Sequence, residues 1–328
     1  MSATATSPPD ARSQGVGVAL VGAGAVSVQF GGAVAVTLFD DVGAAGAVTL
    51  RLVIAMVLLL VGTAAARVLV RSHRVPGARR TRQDWLTVVA FGVALAAMNL
   101  SFYEAIARIP LGPAVSIEML GPLTLAAVTS RRWLDGLWIL VALGGVVTLG
   151  LGESHDGTGG LTAPGVAFAV LAGVCWALYI VLSSRTAARF PRTDGLTVAM
   201  VVAAALVVPF GLVGAGDTLL EGSVLWRGAA IAVLSSGLPY SLDLFALRRI
   251  TPGTFGVLMS LEPAIASVAG LLVIGQVLTL VQWLGLVGVV VACAGVTVFA
   301  PSARRRGDDP SARGGRDVLD DPAAVEAV

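Results

Sequence analysis

Ala105-Ile106-Ala107-Arg108-Ile109-Pro110-Leu111-Gly112 runs on through Glu118 to Gly121-Pro122. It is answered 141 residues later by Ala246-Leu247-Arg248-Arg249-Ile250-Thr251-Pro252-Gly253, which runs on through Glu262 to Pro263. Sliding one stretch over the other superposes Ala105 on Ala246, Arg108 on Arg249, Ile109 on Ile250, Gly112 on Gly253 and Pro122 on Pro263. One structural unit is written twice. Each copy is an Arg-marked tight turn between two apolar stretches, and the second stretch carries a carboxylate close to a proline.

Those stretches are typical of the whole chain. Of its 328 residues 56% are hydrophobic and 13% charged, with a mean hydropathy of +0.87, whereas about 25% of a soluble domain is charged. The chain reads as an integral membrane protein, all α-helical. Ten apolar stretches, each long enough to cross the hydrocarbon core as a helix, fall at 16–39, 47–66, 85–107, 112–130, 134–152, 164–184, 195–214, 228–247, 252–275 and 281–300 (spans 1 to 10). The expected organisation is a disordered tail over 1–14, a first five-helix repeat over 15–152, a loop over 153–163, a second five-helix repeat over 164–300 and a disordered tail over 301–328. The first fourteen residues are small and polar, and span 1 reaches full membrane length without a cleavage signature, so no signal peptide is expected. Cys175 and Cys293 fall inside spans and read as small buried residues.

All 22 basic residues are Arg. Nineteen lie at the N-terminus, after even-numbered spans or in the C-terminal tail, against Arg108 and Arg227 on the other side and Arg51 within span 2. The positive-inside rule then puts both termini in the cytoplasm. Five is an odd number, so the Arg108 turn faces outward and its Arg249 counterpart inward, and the two halves are inverted. Inverted repeats are a hallmark of secondary transporters, which hold substrate near the midplane between halves that rock.

Polar residues within the spans are the candidate site. Gln29 sits mid-span beside Gly31 and Gly32, where a neighbouring backbone can approach; it either binds substrate or bonds another helix. Arg51 lies one turn into span 2, where a guanidinium needs a partner; Asp40, Asp41 and Glu118 are candidates for pairing, and a carboxylate of a zwitterionic substrate is the sharper alternative. Asn99 and Tyr103 are four apart and share a face that can line a polar cavity. Glu104 is expected to be solvated. Glu118 falls ~8 Å into span 4 at the helical rise, and Glu262 ~15 Å from the inner side, near the centre of a ~30 Å core. An ionised acid there costs roughly 2.5–3.5 kcal/mol on the lenient insertion scale. Removal from water raises the proton affinity of carboxyl groups in general, a property useful to a proton-coupled carrier. Pro122 and Pro263 are expected to kink their helices and free a carbonyl one turn back. Trp176, Tyr179 and Ser183 share a face of span 6, an aromatic wall or a core stripe. Ser236, Tyr240 and Asp243 follow one stripe of span 8, and Asp243 is the third candidate acid. Spans 5 and 10, with Gly144, Gly145, Gly285, Gly288 and Gly295, read as packing helices that also allow a homodimer surface.

Ile109-Pro110-Leu111-Gly112, Glu118-Met119-Leu120-Gly121-Pro122-Leu123, Ser130-Arg131-Arg132, Leu238-Pro239-Tyr240-Ser241-Leu242-Asp243 and Met259-Ser260-Leu261-Glu262-Pro263-Ala264 resemble the EamA branch of the drug/metabolite transporter superfamily. The likeness extends over all ten spans, including Gln29-Phe30-Gly31-Gly32 and Leu50-Arg51-Leu52, and is nearest to its bacterial exporters of threonine and homoserine. It implies a ten-helix carrier of the bacterial inner membrane that exports small amino acids or related metabolites in exchange for protons. Two positions depart from the family pattern: Asp243 stands where Glu is expected, and Gln276 replaces the acid of the Gly-Glu pair that ends span 9. Within the same superfamily a multidrug or nucleobase exporter, suggested by Trp176, Tyr179 and Tyr240, or an uncoupled facilitator, is the alternative.

An enzyme is not expected. His73 and His155 lie in loops, neither Cys has a His in its span, and no acids show a metal spacing. The expected partners are a small-molecule substrate, protons and the lipid bilayer. No nucleic acid, metal or cofactor is expected.

Overall fold

The computed structural model describes residues 11–69, 80–130, 133–151, 160–190, 194–246 and 249–298. Within these residues every regular element is helical: α1 (Ala11–Val36), α2 (Phe39–Leu69), α3 (Arg82–Ile106), α4 (Leu111–Glu118), α5 (Leu120–Ser130), α6 (Trp133–Leu151), α7 (Ala163–Arg189), α8 (Asp194–Ala215), a 3-10 turn (Gly216–Leu220), α9 (Gly222–Ala232), a π-turn (Val233–Gly237), α10 (Leu238–Ala246), α11 (Pro252–Met259), α12 (Glu262–Ile274) and α13 (Leu280–Val298). Eight stretches among them, from Ser13–Val36 to Leu280–Val298, are long and apolar enough to cross a membrane, and Gly136–Leu151 is a shorter apolar helix. The chain is a multi-pass membrane protein.

Local chemistry sets the helix ends. Thr81 accepts from the Asp84 N–H while Asp84 accepts from the Thr81 N–H, a capping box that starts α3. Thr162 and Thr251 cap α7 and α11, each followed by a proline in the first turn. Gly275 closes α12 in the left-handed conformation at φ 69°. One start falls earlier than the hydropathy placed it: α1 begins at Ala11, within the stretch expected to be a tail. In α2 the turn that holds Asp40 and Asp41 is set off from the rest of the helix by Gly43, whose φ of 68° and ψ of 173° are not helical. Expected span 8 is not one continuous α-helix: the π-turn divides it into α9 and α10.

The side chains are distributed as a lipid solvent requires. The outside is apolar, with Val213 90% exposed, Leu280 77% and Leu151 70%, while the interior is built largely from Ala and Gly, which let helices approach. Helix α3 packs on α7 and α8, α2 on α8 and α9, α1 on the α9–α10 and α11–α12 segments, and α4 on α12 and α7. Helices α6 and α13 form a pair whose backbones touch. A Cβ on Gly145 would lie 2.6 Å from the Gly285 carbonyl oxygen, and a Cβ on Gly285 would lie 2.5 Å from that of Gly145. The Gly145 and Gly285 faces expected to allow a homodimer are therefore turned toward each other within one chain.

Candidate substrate site

The site begins with two missing N–H groups. Pro122 cannot bond the Glu118 carbonyl, nor Pro263 that of Met259. The expected kinks are present: at Met119, between α4 and α5, and at Ser260 and Leu261, between α11 and α12, the backbone stays in the right-handed helical region while the proline's bond is missing. The short helices before the kinks occupy 111–118 and 252–259, at the offset of the sequence echo. Glu118 thus stands just before one kink and Glu262 just after the other. Both are buried, 8% and 5% exposed.

A third irregularity faces them. In the π-turn the Leu238 N–H bonds the Val233 carbonyl, five residues back. The next residue with a free valence would be Pro239, which has no N–H for the carbonyl of either Leu234 or Ser235. Side chains of other helices supply the donors: Ser27 Oγ of α1 donates to the Leu234 oxygen at 2.7 Å, and Arg51 Nη2 of α2 donates to the Ser235 oxygen at 3.3 Å. The close approach of α1 depends on Gly31, where a Cβ would lie 2.2 Å from Ser235 Oγ. Proline, π-turn, serine and arginine are one arrangement.

Arg51 also donates from Nη1 to the Tyr103 hydroxyl at 3.4 Å, with its guanidinium 5.6 Å from the centre of that ring. Asp41, one of its expected partners, is instead paired with Arg227 at 2.6 Å. Glu118 is close enough to feel the opposite charge of Arg51 and the like charge of Glu262.

These elements enclose a cavity of ≈ 180 Å³. Of the residues singled out from the sequence, Gln29, Arg51, Asn99, Glu118, Trp176, Tyr179 and Glu262 line it. Tyr103 does not; it is fully buried behind Arg51. Tyr240 and Asp243 belong to α10, but their side chains lie outside the described residues, as do His73 and His155. Asn99 donates to the Leu95 carbonyl of its own helix at 2.9 Å. Ser235, Pro239 and Met259 also line the cavity and were missed from the sequence. Met259 had a signal, since it occupies the place of Glu118 in the second copy. Ser235 Oγ is buried without a hydrogen-bond partner, a hydroxyl that a guest can satisfy.

Outside the cavity, Glu104 is not simply solvated but pairs with Arg108 one turn on. Gln276, the second departure from the family pattern, accepts from the Leu111 N–H at 3.0 Å and so caps α4 from the far end of α12.

The profile of the EamA-like transporter family matches residues 163–298. The threonine/homoserine exporter RhtA of Salmonella typhimurium (strain SL1344) is 39% identical over 276 residues, 83% of this chain and 88% of that one. This chain belongs to the EamA-like transporter family. The RhtA of Escherichia coli (strain K12) is 38% identical over the same share of both chains. A solved crystal structure, 20% identical, superposes with a TM-score of 0.58 over 89% of this chain and 98% of its own, a likeness of fold alone. Two kinks and a π-turn meet at this one cavity, and irregular backbone at membrane depth is tolerated where it lines a cavity or is buried in protein.

Proposed function

We propose that the protein is a proton-coupled exporter of small amino acids of the threonine and homoserine type, resident in a bacterial inner membrane with both termini cytoplasmic. Its ten spans, counting α4–α5, α9–α10 and α11–α12 as one each, form two inverted five-helix repeats. They work by alternating access around the central cavity, where Gln29, Arg51, Asn99, Glu118, Trp176, Tyr179, Tyr240, Asp243 and Glu262 bind substrate or carry the proton and Tyr103 holds Arg51 from behind. The observation that carries this reading is the pair of short helices α4 and α11, at the same offset as the sequence echo, whose kinks bring Glu118 and Glu262 to one cavity beside Arg51. The names of the relatives supply the substrate class. Two carboxylates and a guanidinium complement the ammonium and carboxylate of a zwitterion. A volume of ≈ 180 Å³ also favours a small solute over a drug-sized one, whose pockets run to about 300–1,000 Å³.

Everted vesicles test the reading. With an acid lumen, proton exit drives radiolabelled threonine or homoserine inward, and the accumulation collapses when a protonophore is added. Flux indifferent to the gradient reduces the protein to a facilitator. A multidrug exporter would instead transport cationic dyes in the same vesicles and ignore amino acids.

A further inference from the structure

Helix α7 carries a stripe that the central cavity does not exhaust. Trp176, Tyr179, Ser183, Thr186 and Arg189 succeed one another at three- or four-residue steps and so share a face, about 20 Å long at the helical rise. Helix α3 answers it in the opposite direction with Phe102, Asn99, Phe91, Thr87 and Asp84. Two further cavities lie along these stripes. One, of ≈ 290 Å³, also reaches the start of α8 and is bounded by Phe91, Tyr179, Ser183, Thr186, Phe190 and Gly195. The other, of ≈ 410 Å³, lies between α3 and α7 and is bounded among others by Asp84, Thr87, Arg185, Thr186 and Arg189. Tyr179 belongs to the walls of both the first of these and the central cavity, and Thr186 to the walls of both of these. Each cavity thus adjoins the next along α7.

The middle one has the chemistry of a stopping place. Phe91 and Tyr179 pack with centroids 5.1 Å apart and planes tilted by 56°, and Tyr179 separates this cavity from the central one. Thr186 is 3% exposed, and its hydroxyl has no hydrogen-bond partner. Its methyl group is turned toward Gly195, where an added Cβ would lie 2.3 Å from Cγ2. An unmet buried hydroxyl favours any guest that supplies its partner. The outer cavity holds Arg185 and Arg189 with Asp84, which lies 3.7 Å from Arg189, so it offers both signs of charge. A volume of ≈ 290 Å³ lies just below the range of drug-sized pockets and suits a small metabolite.

We infer that the cavity between α3, α7 and α8 is a second binding site, in which a small zwitterionic amino acid arriving from the cytoplasm is held at Thr186 before it passes Tyr179. The inference rests on the proposed orientation and substrate class, and it adds a site distinct from the acid-lined centre.

The test is cysteine accessibility. Ser183→Cys, in a chain carrying Cys175→Ala and Cys293→Ala, is exposed to a membrane-impermeant maleimide in everted and in right-side-out vesicles. Labelling is expected in everted vesicles alone. Threonine at about ten times its dissociation constant is expected to slow it roughly tenfold by occupancy. Adding Thr186→Val is expected to raise the threonine concentration needed for half-protection several-fold without lowering the melting temperature, since the hydroxyl it removes is buried and bonds nothing. Ser184→Cys, on the same wall, repeats the measurement if Ser183→Cys does not insert. Labelling from the outer face, labelling from neither face, or labelling that threonine and homoserine do not slow in vesicles that export them overturns the second site. In that last case the proposed function stands. Vesicles that export neither amino acid sink the proposed function instead, and protection of Ser183→Cys by neither then sinks the second site with it.

Discussion

The two kinked helices are built to one plan and differ in where the acid sits. In the first copy Glu118 lies four residues before Pro122, and Gly121 stands next to the proline. In the second, Met259 takes the place of Glu118, and Glu262 stands next to Pro263. Packing explains why the first copy cannot carry its acid beside the proline. A Cβ on Gly121 would lie 1.9 Å from the Gly173 carbonyl of α7, so the position admits no side chain. The acids end on opposite sides of equivalent kinks, Glu118 before and Glu262 after the bond that the proline removes. Two stretches of matching sequence thus present their acids differently through single residues.

The strongest way to break the comparison is to make the copies alike. Met259→Glu combined with Glu262→Gly gives the second copy the pattern of the first. Export in everted vesicles should fall at least about 100-fold, about 2.7 kcal/mol in barrier terms, with insertion intact. Glu118→Gln and Glu262→Gln should each do the same, and export at the unmodified rate would remove both acids from the mechanism. Next, Gly121→Ala forces α5 and α7 apart and should destabilise by about 1–3 kcal/mol, read as a lowered melting temperature in detergent. Pro239→Ala probes the third irregularity and should move two readouts in opposite directions. The melting temperature should rise, because proline inside a helix costs about 3 kcal/mol. Export should fall about fivefold, about 1 kcal/mol, as the new N–H competes with Ser27 and Arg51 for the Leu234 and Ser235 carbonyls. Gln276→Ala uncaps α4 for about 0.5–1.5 kcal/mol. Arg227→Ala breaks an outer pair that is partly exposed on both sides and should cost only about 0.2–1 kcal/mol.

What was legible in the sequence was local. The echo and the two prolines are short-range chemistry, so the kinks fell where the 141-residue offset puts them. The π-turn was not legible, because Val233-Leu234-Ser235-Ser236-Gly237 reads as more apolar helix. Its form depends on donors from Ser27 and Arg51, 207 and 184 residues away along the chain. Of the partners named for Arg51, Asp41 is taken by Arg227 and Glu118 lies within reach of its charge, while the freed Ser235 carbonyl and the Tyr103 ring, 184 and 52 residues away along the chain, could not be read from sequence. Gln276 read as a lost charge because only the structure brings the Leu111 N–H to it.

The glycine seam between α6 and α13 bears on how such a molecule could move. Two rods whose main chains touch cannot rotate about their own axes without driving a side chain into the neighbour's backbone, and they cannot separate without opening a void that lipid tails fill poorly. They are locked to each other as one unit, and a bulkier residue at either glycine would wedge them apart without touching the chamber.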